Sequence, residues 1–236
     1  MPNTESIDLE SGSTQYLSIT DALQTGLDIT GDMTIEFWLK PESLAANMCI
    51  VAKWDSGSNQ RGYRVEFQGT DVMDFAVSSD GTDGNTTTAT WDTGLTNGQW
   101  DHWAITYDAS AGTCAFYLNG ATDGTGASLK TAIHDSTSGF FVGIRKVTGS
   151  PSSPTDGLVD EVRIWNDIRT SGEISANYDK QLVGDEAGLV GYWQLNDDLL
   201  DQTANDNDLT NNNAATFSTD VPFVGGVETD KFFLVM

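Results

Sequence analysis

Cysteine, proline, histidine and basic side chains are all scarce in this 236-residue chain, and each shortage removes a class of protein. The two cysteines, Cys49 and Cys114, are too few for a disulfide scaffold. Each stands in or beside an apolar run, where a thiol packs like a small hydrophobe, and a single bridge between them stays open. The two histidines, His102 and His134, come with no Gly-x-Ser-x-Gly, His-Glu-x-x-His or P-loop string, so no nucleophile or metal-hydrolase signature is present. Only 11 bases face 35 acids, a formal net charge of −24. A nucleic acid would be repelled by such a chain instead of releasing counterions to it, and sulfated glycans and anionic lipid surfaces are disfavoured likewise. Neutral sugars, cations and protein surfaces remain as partners. No stretch approaches the roughly 18 apolar residues of a membrane span. The first twenty residues carry neither a basic n-region nor an apolar h-region. The expected setting, extracellular, on a cell surface or on a virion surface, is then reached without a leader in that stretch.

What the chain does have is aromatic and apolar residues in short runs, punctuated by 24 glycines. Alternation at Ile35, Phe37 and Leu39, at Tyr63, Val65 and Phe67, and at Met73, Phe75 and Val77 predicts strands with one buried face. Trp103, Ile105 and Tyr107, then Cys114, Phe116 and Leu118, predict a hairpin that turns over Asp108 to Gly112. Asn119-Gly120 predicts a further reversal, because both residues tolerate positive φ. Strands are also expected at Phe140 to Ile144 and Leu158 to Trp165. Thr170-Ser171-Gly172-Glu173 has capping-box spacing, and Ile174, Tyr178 and Leu182 recur at i, i+4 and i+8, so one short helix is expected there. Ser79 to Thr90 and Thr148 to Asp156 read as surface loops. Trp38, Trp100, Trp103, Trp165 and Trp193 lie in strand-like strings and are expected in the core.

Several ordered strings resemble the LamG-like (laminin G and pentraxin-like) jelly rolls of the concanavalin A-like lectin/glucanase superfamily. Met33-Thr34-Ile35-Glu36-Phe37-Trp38-Leu39-Lys40-Pro41 looks like that family's early strand, and Gly98-Gln99-Trp100-Asp101-His102-Trp103-Ala104-Ile105-Thr106-Tyr107-Asp108 like its central one. Phe116-Tyr117-Leu118-Asn119-Gly120 and Gly157-Leu158-Val159-Asp160-Glu161-Val162-Arg163-Ile164-Trp165-Asn166 follow in the expected order, covering residues 5 to 182. The resemblance implies an all-β, two-sheet antiparallel sandwich with one short helix. One domain over residues 1–224 is expected, with 188–217 completing the sandwich and not opening a second repeat, because lone strands cannot bury their faces. Residues 225–236 are expected to be an apolar C-terminal strand or tail, which either docks on its own sheet or, through Phe232, Phe233, Leu234 and Val235, joins neighbouring chains of an assembly.

Related jelly rolls include glycosidases that set two carboxylates on one strand. Here the nearest string is Asp160-Glu161, whose neighbours in a regular strand face opposite ways, so catalysis is not expected. Asp160 falls in register with Leu158, Val162 and Ile164 and needs a partner: backbone N–H groups, the neighbourhood of Arg163, or Ca²⁺, which many members of the family bind. Asp28, Asp32 and Asp156 could add oxygens to such an ion, while Asp55 to Gly62 and Asp201 to Asn213 match no EF-hand loop, and the second reads as a solvated turn. Trp54 beside Asp55 and Trp91 beside Asp92 stand next to polar turns, where a ring either folds over the sheet edge or, if exposed, stacks on a sugar while the carboxylate bonds hydroxyls. The functions in view are a lectin-like adhesion module for a cell-surface glycan or protein, a structural or decoration protein of a phage virion, and, from fold alone, a glycan-cleaving enzyme.

Overall fold

The computed structural model describes residues 2–44, 46–69 and 72–223. In chain order the first strands are β1 (Ser6–Leu9), β2 (Tyr16–Ile19), β3 (Met33–Pro41), β4 (Met48–Asp55), β5 (Gln60–Gln68), β6 (Val72–Ser78), β7 (Thr86–Asp92), β8 (Asp101–Asp108) and β9 (Thr113–Leu118). Then come β10 (Ala121–Gly126), β11 (Phe140–Val142), β12 (Arg145–Val147), β13 (Ser150–Ser152), β14 (Gly157–Trp165), helix α1 (Ser171–Asn177), β15 (Leu189–Trp193), β16 (Thr210–Asn212) and β17 (Thr216–Ser218). They build two sheets. One runs β10-β9-β8-β3-β14-β1-β17 with β15 also on β14; the other runs β16-β2-β11-β4-β5-β6-β7 with β12 and β13 attached at β4. This is the two-sheet, all-β sandwich expected of a jelly roll.

The alternating residues face inward as a set. Ile35, Phe37, Leu39, Tyr63, Val65, Phe67, Met73, Phe75, Val77, Trp103, Ile105, Tyr107, Cys114 and Phe116 all join the main core between the sheets. At roughly 1.5–3 kcal/mol for each large side chain removed from water, these rows dominate the driving force for closure. The hairpin forms as read, with Asp108 opposite Thr113, and Asn119 and Gly120 take φ of 48° and 78° at the next reversal. Both cysteines are free and buried, and burial pushes each thiol up to about 12. Ser79 to Thr90 is only partly a loop, because β7 begins at Thr86 and pairs with β6 along its length. Among the described residues no helix is long and apolar enough to cross a membrane.

Helix α1 carries the full capping box: Thr170 accepts from the Glu173 N–H, and Glu173 accepts from the Thr170 N–H. It ends earlier than the i, i+4, i+8 spacing suggested, because the carbonyls past its end are taken elsewhere. The Arg163 guanidinium donates to the carbonyls of Asn177 and Lys180, and the Trp38 indole N–H donates to that of Tyr178. Residues 171–182 therefore lie as a strap over the outer face of the first sheet, where Ile174 packs on Ala104 and Tyr117 and Leu182 packs on Trp165, Leu189 and Tyr192.

Strands from residues 188–217 insert into both sheets: β15 pairs with β14, β16 with β2 and β17 with β1. The Asp/Asn-rich stretch between them is not a solvated turn. Asp201 is buried and accepts from the N–H groups of Tyr192, Thr203 and Asn207 and from the Thr203 hydroxyl, all at 2.9–3.0 Å. Asn207, fully buried, exchanges bonds with Thr25 and donates to the Val190 carbonyl. Backbone donors that would otherwise be orphaned beneath the loop are satisfied by these two side chains.

Candidate functional site

The acidic pair of β14 is sealed. A β-bulge between Asp160 and Arg163 places Glu161 at φ 51°, which breaks the strand's alternation. Val159, Val162 and Ile164 thereby face the core, while Asp160 turns to the outer side opposite Trp38. This corrects both sequence readings of the pair: Asp160 is not on the apolar face, and its relation to Glu161 is not that of regular strand neighbours. Both are fully buried. Asp160 accepts from Asn3 Nδ2 at 2.8 Å and from the Glu161 N–H at 2.9 Å. Glu161 is held by Arg163 at 3.0 Å, the Tyr192 hydroxyl at 2.6 Å and Gln181 at 3.0 Å. Burial, and then the charge of Glu161, raise the Asp160 carboxyl well above its ordinary value. Burial also raises Glu161, outweighing Arg163.

Beside this pair, Glu36 Oε2 lies 3.4 Å from His102 Nε2 and 3.6 Å from Arg163 Nη1, and all three residues are buried. Burial opposes the Glu36 charge, but His102 and Arg163 overcome it and hold the carboxyl below its usual range. Burial lowers His102 in turn. Burial would also lower Arg163, yet the carboxylates of Glu161 and Glu36 raise it. The network ties β3, β8, β14, β15 and the strap together, and it is closed to a substrate.

A pH-dependent stability follows for Asp160. A carboxyl raised by folding contributes stability that is full below its unfolded value and is lost as pH rises through its folded value. Asp160→Asn removes that loss, and a half-turn of Asn3 offers an Oδ1 that has no partner. The variant is expected to match the parent near pH 4 and to gain on it toward pH 8, by up to about 1.4 kcal/mol per pH unit while one proton is linked. Unfolding midpoints across that range check this, and a variant less stable than the parent at pH 8 would contradict it.

The two tryptophans expected at an exposed sugar site are covered. Trp54 is 4% exposed, packed with Cys49, Ala52 and Ala76 beneath the Arg64 guanidinium at 5.1 Å. Trp91 is 8% exposed and points into the core, stacked on Phe116 at 5.2 Å and edge-on to Trp103 at 5.4 Å. Polar neighbours in sequence did not reveal which way these rings face. Asp55 holds a turn by accepting from the N–H groups of Gly57 and Gly149, and Asp92 is exposed at the end of β7. Of the other tryptophans, Trp103 and Trp193 fill the main core, and Trp38 and Trp165 are buried on the strap side. Trp100 is only half-buried and donates to Asp220. Phe232, Phe233, Leu234 and Val235 lie outside the described residues.

The four aspartates grouped as metal ligands each engage a different partner. Asp28 pairs with the buried Lys53 ammonium at 2.8 Å, alongside Asp21 at 2.7 Å. Asp32 accepts from the Ala109 N–H, and Asp160 is committed to Asn3. Asp156 accepts from the Ser11 N–H and stands near a different acidic set. Asp8, Glu10 and Glu42 place one carboxylate oxygen each within 4.8 Å of one another. Burial and then Asp156 raise Asp8, while burial followed by Asp8, Glu10 and Asp156 raises Glu42. Asp8 Oδ1 is buried without a hydrogen-bond partner. An all-oxygen, anionic donor set with an orphaned oxygen fits a hard cation such as Ca²⁺ and not a soft one. Asp8 and Glu10, two apart in sequence, were a legible signal, whereas Glu42 was not.

Among the described residues, two open grooves adjoin over β2. A groove of about 400 Å³ is lined by Ser18, Thr20, Asp21, Thr137, Phe141 and Lys146, with the Lys146 ammonium 4.9 Å above the Phe141 ring. A second of about 460 Å³ is lined by Leu23, Asp206, Asp208, Thr210 and Asn212 and shares Ser18, Ile19 and Thr20 with the first. Asn212 donates to the Ser18 hydroxyl at 2.9 Å, which fixes the amide at the ridge. Hydroxyls, an amide and carboxylates beside apolar floor are the mixture that polyols need. Another groove, of about 430 Å³ at β8, β9 and β10, is mostly threonine, alanine and glycine around Ile168, with Asp108 as its charged group.

Comparison with known proteins agrees with this architecture. A candidate carbohydrate-binding protein from Bacteroides ovatus superimposes with a TM-score of 0.69 at 18% identity, covering 94% of this chain and 62% of that one. The chain therefore spans somewhat less than two thirds of that relative. A native heptameric SAP-like pentraxin from Limulus polyphemus gives 0.65 at 13% identity, covering 91% and 94%. The CBM40 of Ruminococcus gnavus IT-sialidase bound to α2,3-sialyllactose gives 0.59 at 14% identity, covering 74% and 96%. No curated protein matches the sequence. The Laminin_G_3 family model matches residues 11–175, and the chain belongs to that family, within the concanavalin A-like lectin/glucanases superfamily.

Proposed function

We propose that this chain is a non-catalytic, lectin-like carbohydrate-recognition module that works outside the cell, with its sugar site in the double groove over β2. The observation that carries the reading is the pair of adjoining grooves, which gathers Ser18, Thr20, Thr137, Thr210, Asn212, Asp206 and Asp208 on one open surface. Sugar-binding descriptions attach to relatives of the same fold from Bacteroides ovatus and Ruminococcus gnavus, which supports the reading. Non-catalysis is supported by the burial of Asp160 and Glu161, the one adjacent acidic pair the sequence offered as a glycosidase couple. The net charge of −24 favours neutral or cationic glycans over sulfated ones.

Calcium is the second part of the proposal. Asp8, Glu10 and Glu42 would hold the ion, which would neutralise their mutual repulsion and brace the turn between β1 and β2. A glycan array with and without Ca²⁺, followed by titration of the strongest binder, tests both parts. Asn212→Ala is expected to weaken binding roughly five- to tenfold, the worth of one or two hydrogen bonds. Ca²⁺ is expected to raise the unfolding midpoint of the parent and not that of Glu42→Gln. Absence of glycan binding in both conditions would defeat the first part, and a Ca²⁺ response unchanged in Glu42→Gln the second.

A further inference from the structure

The two grooves over β2 are unlike in charge. On one side Lys146 supplies an ammonium beside Asp21, whose carboxylate already pairs with Lys53. On the other, Asp206 and Asp208 are both exposed, with no basic side chain in the lining, next to Leu23, which is 73% exposed. Asp208 turns one oxygen to the Asp201 N–H at 3.0 Å, so its position is fixed by the buried Asp201 loop beneath. Between the grooves runs a ridge of Ser18, Ile19 and Thr20 that lines both.

A shared ridge between grooves of about 400 and 460 Å³ suits a ligand longer than one sugar ring, crossing β2 with units on both sides. An ammonium on the unit above Asp206 and Asp208 would meet two carboxylates in charge-assisted hydrogen bonds, while a neutral sugar there would gain ordinary hydrogen bonds alone. We infer that the ligand of the double groove is an oligosaccharide carrying an amino-sugar unit, seated with its ammonium toward Asp206 and Asp208 and its remaining units toward Thr137 and Lys146. This rests on the carbohydrate reading above and specifies its substrate class.

The test compares an N-acetylglucosamine tetramer whose terminal unit alone is de-N-acetylated with its fully N-acetylated counterpart and with glucosamine monomer, by calorimetry at low salt and pH 6. The tetramer is expected to bind roughly five- to tenfold more tightly than the N-acetylated form, with the margin shrinking as salt is added. It is also expected to bind at least tenfold more tightly than the monomer. Asp206→Asn/Asp208→Asn should bring the amino/N-acetyl ratio close to one. Asn at 208 keeps an oxygen for the Asp201 N–H, and Asp206→Asn alone, at an exposed site, serves if the double variant fails to fold. Equal affinities of the two tetramers, or a ratio untouched by the substitutions, would overturn the inference while leaving carbohydrate recognition standing. Binding by neither tetramer nor any other glycan would remove both.

Discussion

Replacing Arg163 by alanine is expected to cost about 3–5 kcal/mol, a large share of the 5–15 kcal/mol that holds a typical domain folded. The guanidinium is fully buried and meets four groups at once: the Glu161 carboxylate at 3.0 Å, Glu36 at 3.6 Å, and the carbonyls of Asn177 and Lys180. Removing it leaves two carboxylates in a low-dielectric site without their counter-charge and frees the two carbonyls that anchor the strap. Lysine cannot replace it, since a point charge lacks the planar fork that reaches both carbonyls and Glu161 together. Combining Arg163→Met with Glu36→Gln and Glu161→Gln is expected to recover much of the loss, because the cost arises from uncompensated charge and not from the missing attraction. Urea unfolding of the single and triple variants measures this. A single variant within 1 kcal/mol of the parent would show that the network contributes little.

Trp193→Ala is expected to be comparably severe, about 3–5 kcal/mol, and it bears on how the chain is divided. Trp193 sits on β15, fully buried, stacked on Phe140 of the opposite sheet at 5.1 Å, with its N–H donating to the Asn207 carbonyl at 2.9 Å. The substitution opens a cavity between the sheets and unseats the Asp201 loop in one step. We propose that residues 2–223 form one cooperative domain, so the loss should appear as a single transition shifted for every probe at once. A biphasic curve, in which the β5 to β9 region melts at its parental midpoint, would mean that 188–217 is an appendage.

The parts of this fold that could be read from the sequence are those in which local pattern and global position agree. Rows such as Phe37, Trp103 and Phe75 alternate with polar residues and all face inward, and Thr170 and Glu173 announce a helix start that tertiary contacts leave in place. The misreadings have specific physical causes. One extra residue at the bulge reverses the face of Asp160, and nothing in Leu158 to Ile164 marks it apart from an uncommon positive φ at Glu161, invisible in sequence. Trp54 and Trp91 sit beside polar turns, but a ring's direction is set by strand phase: Arg64 on β5 covers the first and Phe116 on β9 receives the second. The double groove was not legible because it draws on Ser18 to Leu23, Thr137 to Lys146 and Asp206 to Asn212, brought together only when β16 and β11 flank β2. The acidic trio needed Glu42, delivered by the end of β3, to make sense of Asp8 and Glu10.

The claim on which the functional account turns is that glycan binds, intact, over β2. The direct measurement is titration of isotope-labelled protein with the best binder from the array, following amide shifts and recovering the glycan afterwards. The account predicts that the largest shifts fall at residues 18–23, 137–146 and 206–212, with the glycan recovered uncleaved. Shifts centred instead on the β8, β9 and β10 groove, or a glycan recovered in shortened form, would contradict it.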